Sequence, residues 1–244
     1  MKNIISFSLW SQDKQLNPKH INQHKDVYTQ GAIMNTLLAK EFYPGWICRF
    51  YVDDSVPNNI IEELKNNDAE IINMTGSLIP GMYWRFLVVD DKDVAISIIR
   101  DTDSRLNSRD RLVVDKFIES DKILHIVRDH PHHNYPILGG MWGIKSYKID
   151  IEIEKSILQF LKQINRPFKR MDDMIFLDLL TRNLIQYSIC HDNYYTSKYK
   201  NSVKFPDYCG SNEYYHYIGE YYDQWEKNQY YERDLKLIKE FKFK

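Results

Sequence analysis

A single α/β domain with a mainly parallel central sheet flanked by helices is the architecture expected of this 244-residue chain. Three observations lead there. Apolar, β-favouring runs alternate with stretches of helical periodicity through the first half. Such alternation closes into right-handed βαβ crossovers, which lay successive strands parallel in one sheet. No internal repeat, low-complexity linker or shift of composition interrupts the chain before about residue 205, so one core is expected.

The elements follow in order. IISFSL (4–9) is a first strand. Val27, Ile33, Met34, Leu37, Leu38 and Phe42 recur at helical spacing and predict a helix over 21–42. WICRFYV (46–52) is a strand that runs into Asp53-Asp54, and Pro57 opens a short helix. AEIINMT (69–75) is a strand, residues 80–90 read as a helix, and VAISII (94–99) is the strand that delivers Asp101. A helix over 108–120 takes Ser108 as its N-cap. Short strands at 123–127 and 140–145 flank a Pro/His loop. Amphipathic helices at 150–164 and 172–184 precede a last strand, IQYSIC (185–190). From 206 onward the chain is polar and carries seven Tyr between 214 and 231. Leu235, Ile238 and Phe241 predict a terminal helix there. The expected organisation is a domain over 1–205 with an aromatic segment, 206–244, laid against it.

Composition narrows the function. Lys and Arg number 33 against 34 Asp and Glu, a net charge of −1, so no basic field points to nucleic acid. No apolar run approaches the roughly 20 residues of a membrane span. MKNIISFSLW reads as a first strand, not a signal peptide. Cys48, Cys190 and Cys209 lie far apart with no C-x-x-C pair, which suggests neither a disulfide framework nor a zinc site. A reduced, cytoplasmic setting is the expectation.

The chemistry concentrates in a few blocks. Asp101-Thr102-Asp103 ends a strand, and in an extended chain residues i and i+2 face the same way. Two carboxylates held together repel unless a cation joins them, which suits Mg²⁺ or Mn²⁺ on a diphosphate. Ligands of parallel sheets bind beyond such strand ends. The plain alternative is a solvated acidic junction. In PILGGMWG, Gly139 and Gly140 permit close backbone approach and Trp142 offers a flat face to a sugar, or else the stretch is a tight turn with a core Trp. Asp172 and Asp173 precede the apolar IFLDLL, either as helix caps or as carboxylates that bind or deprotonate a hydroxyl. Four of the eight His fall within 125–133, without the spacing of a zinc hydrolase, and read as a cleft-lining loop with Arg128 and Asp129 towards the ligand.

The order of these blocks resembles a group of GT-A-like glycosyltransferases of bacteria and large viruses. The carrying segments are DTDSR (101–105), RDHPHH (128–133), GGMWG (139–143), the acidic helix start RMDDMIFL (170–177) and HD (191–192). Met174 departs from the pattern, which often has Gln there. HYIG (216–219) is similar to a segment of glycogenin-like retaining transferases. The resemblance covers about residues 80–223 and implies a Rossmann-like GT-A domain, a UDP- or GDP-sugar donor, a glycan or other hydroxyl acceptor, and Mn²⁺ or Mg²⁺. It implies Asp101 and Asp103 on the metal, with Asp101 and Arg85 also at the donor. Ser6, Ser8 and Asp53 would border the nucleotide, and Arg128, Gly139, Gly140 and Trp142 would line the donor cleft. Asp173, with Asp172 beside it, would be catalytic, and a late His, His191 or His216, would complete the metal site. Two rivals remain. A haloacid-dehalogenase-type phosphatase would use Asp101 as nucleophile, but its motif belongs in the first strand and Arg105 stands where Thr or Val is usual. A non-catalytic carbohydrate-binding protein would use Trp142 and the aromatic tail.

Overall fold

The computed structural model describes residues 1–10, 21–169, 171–199, 201–206, 216–223 and 225–242. Cys209 and Arg170 lie outside them. Strands β1 (Lys2–Leu9), β2 (Ile47–Val52), β3 (Glu70–Asn73), β4 (Val94–Ile99), β5 (Leu124–Arg128), β6 (Trp142–Lys145), β7 (Ser188–Asp192) and β8 (Ser202–Val203) form one sheet. Its order is β3-β2-β1-β4-β6-β5-β7-β8. Only β6 runs antiparallel to its neighbours, β4 and β5; the other pairs are parallel. Helices α1 (Ile21–Phe42), α2 (Asn58–Asn66), α3 (Gly81–Trp84), α4 (Ser108–Glu119), α5 (Ile153–Ile164), α6 (Asp172–Thr181) and α7 (Tyr231–Lys242) are the α-helices among the described residues. The mainly parallel α/β sheet flanked by helices matches the sequence expectation.

Strand alternation divides the core into two layers. Ile5, Phe7 and Leu9 of β1 join Ala32, Tyr43, Phe50, Leu64 and Val114 on one face. Ile4 joins Tyr83, Phe86, Trp142, Phe176 and Leu177 on the other. Ser6 and Ser8 share the face of Ile4, and there their hydroxyls meet backbone. Ser6 Oγ donates to the Arg85 carbonyl at 2.7 Å and Ser8 Oγ accepts from Arg85 N–H at 2.9 Å. These bonds take backbone groups that a continuous helix would use internally. The expected helix over 80–90 is accordingly two short pieces, α3 and a 3₁₀ turn at Leu87–Asp90.

Other boundaries differ from the sequence reading for local reasons. The N-cap of α4 is Asn107, whose side chain accepts from Asp110 N–H at 2.8 Å, and Ser108 is the first helical residue. Helix α5 begins at Ile153 because the Asp90 carboxylate caps it, accepting from Ile153 N–H at 2.7 Å and Glu154 N–H at 2.9 Å. Helix α6 stops at Thr181, and IQYSIC divides into a 3₁₀ turn, Ile185–Tyr187, followed by β7.

The described part of the C-terminal segment is tied to the strand ends. Ile218 N–H donates to Asp129 at 3.0 Å, and Tyr222 N–H donates to the Asp103 carbonyl at 2.9 Å. Arg105 grips Glu226 with two bonds of 2.8 and 2.7 Å. Ile238 of α7 is buried, whereas Trp225 stays 71% exposed. The aromatic character of this segment is therefore only partly spent on packing.

At the exit of β4, Arg100 turns back into the core. Its guanidinium forms a two-pronged pair with Asp110 of α4, at 2.9 and 2.7 Å, and donates to the carbonyls of Ile99 at 2.8 Å and Trp142 at 3.1 Å. Both partners are 2% exposed or less. Asp110→Ala strands a buried cation, which costs about 3–5 kcal/mol. Urea denaturation should show that loss, and a change below about 1 kcal/mol would remove the pair from the structural framework.

Candidate functional site

Arg100 and Asp101 leave β4 on opposite faces, as strand geometry requires. Asp101 emerges on the face of Arg85. The chain then turns: Ser104 N–H and Oγ both bond the Asp101 carbonyl, at 3.3 and 2.8 Å. Asp101 and Asp103 are thus brought together by a tight turn and not by extended chain. They still feel one another. Burial pushes the Asp103 carboxyl up to about 7, the Asp101 charge adds to the rise, and Arg85 opposes it.

Arg85 is the centre of the cluster. Its side chain is 8% exposed; Nη1 forms an ion pair with Asp101 Oδ1 and Nη2 lies 3.5 Å from Asp173 Oδ2. Nε is buried and has no protein partner. Burial works against its charge, yet Asp101 and Asp173 hold the guanidinium firmly protonated. The Asp173 carboxyl is raised by burial first, lowered in part by Arg85 and raised again by Asp101. Gly139 and Gly140 close the cluster. A Cβ on Gly139 would collide with Asp173 Oδ2 and with Arg85 Nη2, and one on Gly140 would collide with the Asp101 carboxylate. The structure therefore gathers Arg85, Asp101, Asp103, Asp173, Gly139 and Gly140 at the C-terminal end of β4.

Several residues singled out in the sequence do other work. Ser6 and Ser8 are buried and bonded to the Arg85 backbone, so they seat Arg85 and do not border an open cleft. Trp142 is fully buried, with Nε1 donating to the Gly139 carbonyl at 3.2 Å; it is the core Trp of the alternative reading. Arg128 is buried too, with Nε 2.6 Å from Asp192 and Nη1 on the Pro136 carbonyl at 2.5 Å, and it braces the 129–137 loop from within. Asp172 receives both Arg166 Nη groups at 2.8 and 2.7 Å and Lys169 N–H at 2.8 Å. That closed cap, the Arg166 bonds above all, holds its carboxyl low and turns it from Asp173. Asp53 folds onto its own turn, accepting from Ser55 N–H at 3.1 Å and from Ser55 Oγ.

The two late histidines separate. His191 is buried in β7, its Nδ1 2.8 Å from His125 Nε2, with β5 and β6 standing between β7 and β4. His216 is linked to the D-x-D turn. Its Nδ1 lies 2.8 Å from the buried Glu220 carboxylate and 2.9 Å from Tyr222 Oη, and Tyr222 N–H holds the Asp103 carbonyl. Sequence reasoning passed over Glu220, Tyr222 and the Arg105–Glu226 pair. The only signal for Glu220 was its place four residues beyond His216.

Carboxylate oxygens are the donors that Mg²⁺ and Mn²⁺ prefer, and the Asp101–Asp103 pair carries a repulsion that a cation would relieve. Among the described residues no three His, Cys, Asp or Glu stand together as a complete metal site. The pair fits a cation that takes its remaining ligands from substrate and water, as Mg²⁺ sites commonly do.

No protein-family model matches the chain, and no curated protein matches it in sequence. Solved structures do match. The galactosyltransferase LgtC in complex with donor and acceptor sugar analogs is 12% identical, with a TM-score of 0.53 over 98% of this chain and 96% of its own. An active-site mutant of LgtC is 13% identical, with a TM-score of 0.52 over 98% of this chain and 95% of its own. At such identity the likeness speaks for the fold. The chain has the Rossmann-like GT-A fold that these transferases share with it from end to end.

Proposed function

We propose that this protein is a metal-dependent glycosyltransferase that moves a sugar from a UDP- or GDP-sugar to a hydroxyl of a glycan or similar acceptor. The observation that carries the reading is the convergence of Arg85, Asp101 and Asp173 under Gly139 and Gly140. It lies beyond the strand ends, where open α/β sheets bind their ligands. The likeness of fold to a galactosyltransferase supports it.

Roles follow from the chemistry of each group. Asp101 and Asp103 would hold Mn²⁺ or Mg²⁺, which neutralises charge on the diphosphate of the donor and of the departing nucleotide. His216 suits a third ligand better than His191 does, because the Glu220 carboxylate orients its imidazole as such partners orient metal-binding histidines. Arg85 holds the Asp101 and Asp173 carboxylates in place and has a buried Nε still to satisfy. Gly139 and Gly140 leave room for the donor against backbone. Asp173, raised by its burial, would accept a hydrogen bond from the acceptor hydroxyl or take its proton.

The rivals fit less well. A haloacid-dehalogenase-type phosphatase would carry its nucleophile after the first strand, and Asp101 follows β4. A carbohydrate-binding platform loses its central ring, because Trp142 is buried and only rings of the C-terminal segment such as Trp225 stay open. Cys48 and Cys190 are buried free thiols, which accords with a reducing compartment such as the cytoplasm. No helix among the described residues is long and apolar enough to cross a membrane.

Asp103→Ala removes one hard oxygen ligand and leaves the core intact. Calorimetry with UDP or GDP plus Mn²⁺ should then show affinity reduced by about 10²-fold or more, the scale of several kcal/mol at a metal-assisted phosphate site. A folded variant that binds as tightly as the parent would remove the metal from the proposal, and phosphate trapped covalently on Asp101 would turn it towards the phosphatase.

Asp173→Asn tests the other half of the site. Nucleotide and metal should still bind, while sugar transfer falls by about 10²-fold, the usual scale for lost acid–base help. Asp172→Asn should leave transfer intact and lower stability by about 1 kcal/mol or less, since its Arg166 partner is partly exposed. Steady-state rates of the two variants decide. Loss of transfer in Asp172→Asn with activity kept in Asp173→Asn would exchange their roles.

A further inference from the structure

We infer that Arg105 and Glu226 are positioning residues of the D-x-D site, which set its carboxylates for a cation by gripping the backbone of the turn that carries them. The inference rests on the metal reading of that site. Arg105 commits every nitrogen of its guanidinium. Nε and Nη2 donate to the two carboxylate oxygens of Glu226 at 2.8 and 2.7 Å. Nη1 donates to the carbonyls of Thr102 at 3.2 Å and Ser104 at 2.9 Å. The guanidinium lies over the Tyr222 ring, and Tyr222 N–H holds the Asp103 carbonyl at 2.9 Å. The consecutive carbonyls of Thr102, Asp103 and Ser104 are thus fixed through Arg105 or from the C-terminal segment, with Asp103 in their middle.

A pair that only fastened the segment would not need this. The fork of Nε and Nη2 reaches Glu226 alone, whereas Nη1 is turned back onto the turn that carries the acids. Glu226 is itself held in an unfavourable backbone conformation to meet that fork. Its φ of 57° lies in the left-handed region, which disfavours a non-glycine residue. Asp223 keeps it there: its carbonyl accepts from Glu226 N–H at 3.1 Å, and its Oδ1 accepts from Trp225 N–H at 2.8 Å and Lys227 N–H at 3.0 Å. Strain of this kind persists where surrounding contacts over-determine it, and it gathers at functional sites. On its other side the turn is held by α1 without help from the pair. Asn35 Nδ2 donates to the Ser104 carbonyl at 2.9 Å, and Asn35 Oδ1 accepts from Leu106 N–H at 3.0 Å. Loss of the clamp therefore loosens the D-x-D turn from one side and leaves the fold. A cation site suffers first, because carboxylates that converge on one ion need supports that hold them there.

Electron paramagnetic resonance of Mn²⁺ titrated into the full chain with UDP or GDP reads the site without turnover. The parent should bind. R105A and E226A should each weaken Mn²⁺ binding about tenfold or more, the scale for losing a residue that supports metal ligands, in titrations run well below each variant's melting temperature. R105A/E226A should bind about as R105A does, because the two residues act as a unit. If R105A does not fold, E226A decides alone, since Glu226 is 35% exposed and its loss leaves the core intact. Unchanged affinity in folded variants, with a lowered melting temperature, would make the pair a fastener of the C-terminal segment and overturn the inference. Losses that add in the double variant overturn it as well. A parent that binds no Mn²⁺ with either nucleotide overturns the metal reading itself, and the inference with it.

Discussion

Arg85 is the counter-charge that lets the acids at this edge of the sheet stand together. Asp101 and Asp173 both use it, and each raises the other's need for it. A buried guanidinium is itself unfavourable unless its surroundings fix it in a good geometry. Here the fixing begins in β1. Ser6 and Ser8 would be odd choices for a central strand buried on both faces, but their hydroxyls clasp the carbonyl and N–H of Arg85. The break between α3 and the 3₁₀ turn that follows is a consequence. The backbone of Arg85 belongs to the sheet as much as to the helix, and the guanidinium is thereby set over the end of β4.

The D-x-D turn is held by its carbonyls, which leaves its carboxylates unencumbered by backbone duties. The Asp101 carbonyl takes Ser104, the Asp103 carbonyl takes Tyr222 N–H, and Arg105 Nη1 reaches the carbonyls of Thr102 at 3.2 Å and Ser104 at 2.9 Å. Gly31 of α1 presses so closely on the Thr102 carbonyl that no Cβ fits there. The far end of the same Arg105 is gripped by Glu226, and its guanidinium lies over the Tyr222 ring, 5.2 Å from the centroid. The C-terminal segment is thus part of the frame that shapes the turn.

Much of this was legible in the sequence where periodicity or alternation runs long. β1, α1, β2 and β4 were read within a residue or two, and the order of elements gave the parallel sheet. Asp173 was preferred to Asp172 because it matches the acid of the family pattern, and in the fold the two adjacent carboxylates face different partners, Arg85 and Arg166. What escaped was decided by partners distant in the chain. Nothing within residues 80–90 announces that Ser6 and Ser8 interrupt a helix. Nothing beside Gly139 tells whether Trp142 faces a ligand or the core, since burial there depends on the register of β6 with β4. His191 and His216 look alike in sequence, and only the strand order sets β7 three places from β4.

The reversal of β6 is what joins the two glycines to the acids. Ile99 of β4 pairs with Trp142 and Ile98 with Gly143, so the residues entering β6 lie alongside those leaving β4. A parallel strand in the same place would begin at the opposite edge of the sheet and send its first residues away from Asp101. Reversal brings Gly139 and Gly140 to the C-terminal end of β4 without a further crossover, and the absence of side chains lets their backbone come against Asp101, Asp173 and Arg85. One antiparallel strand in a parallel sheet therefore explains why the turn at Gly139 and Gly140, far beyond Asp103 in the chain, belongs to the same cluster.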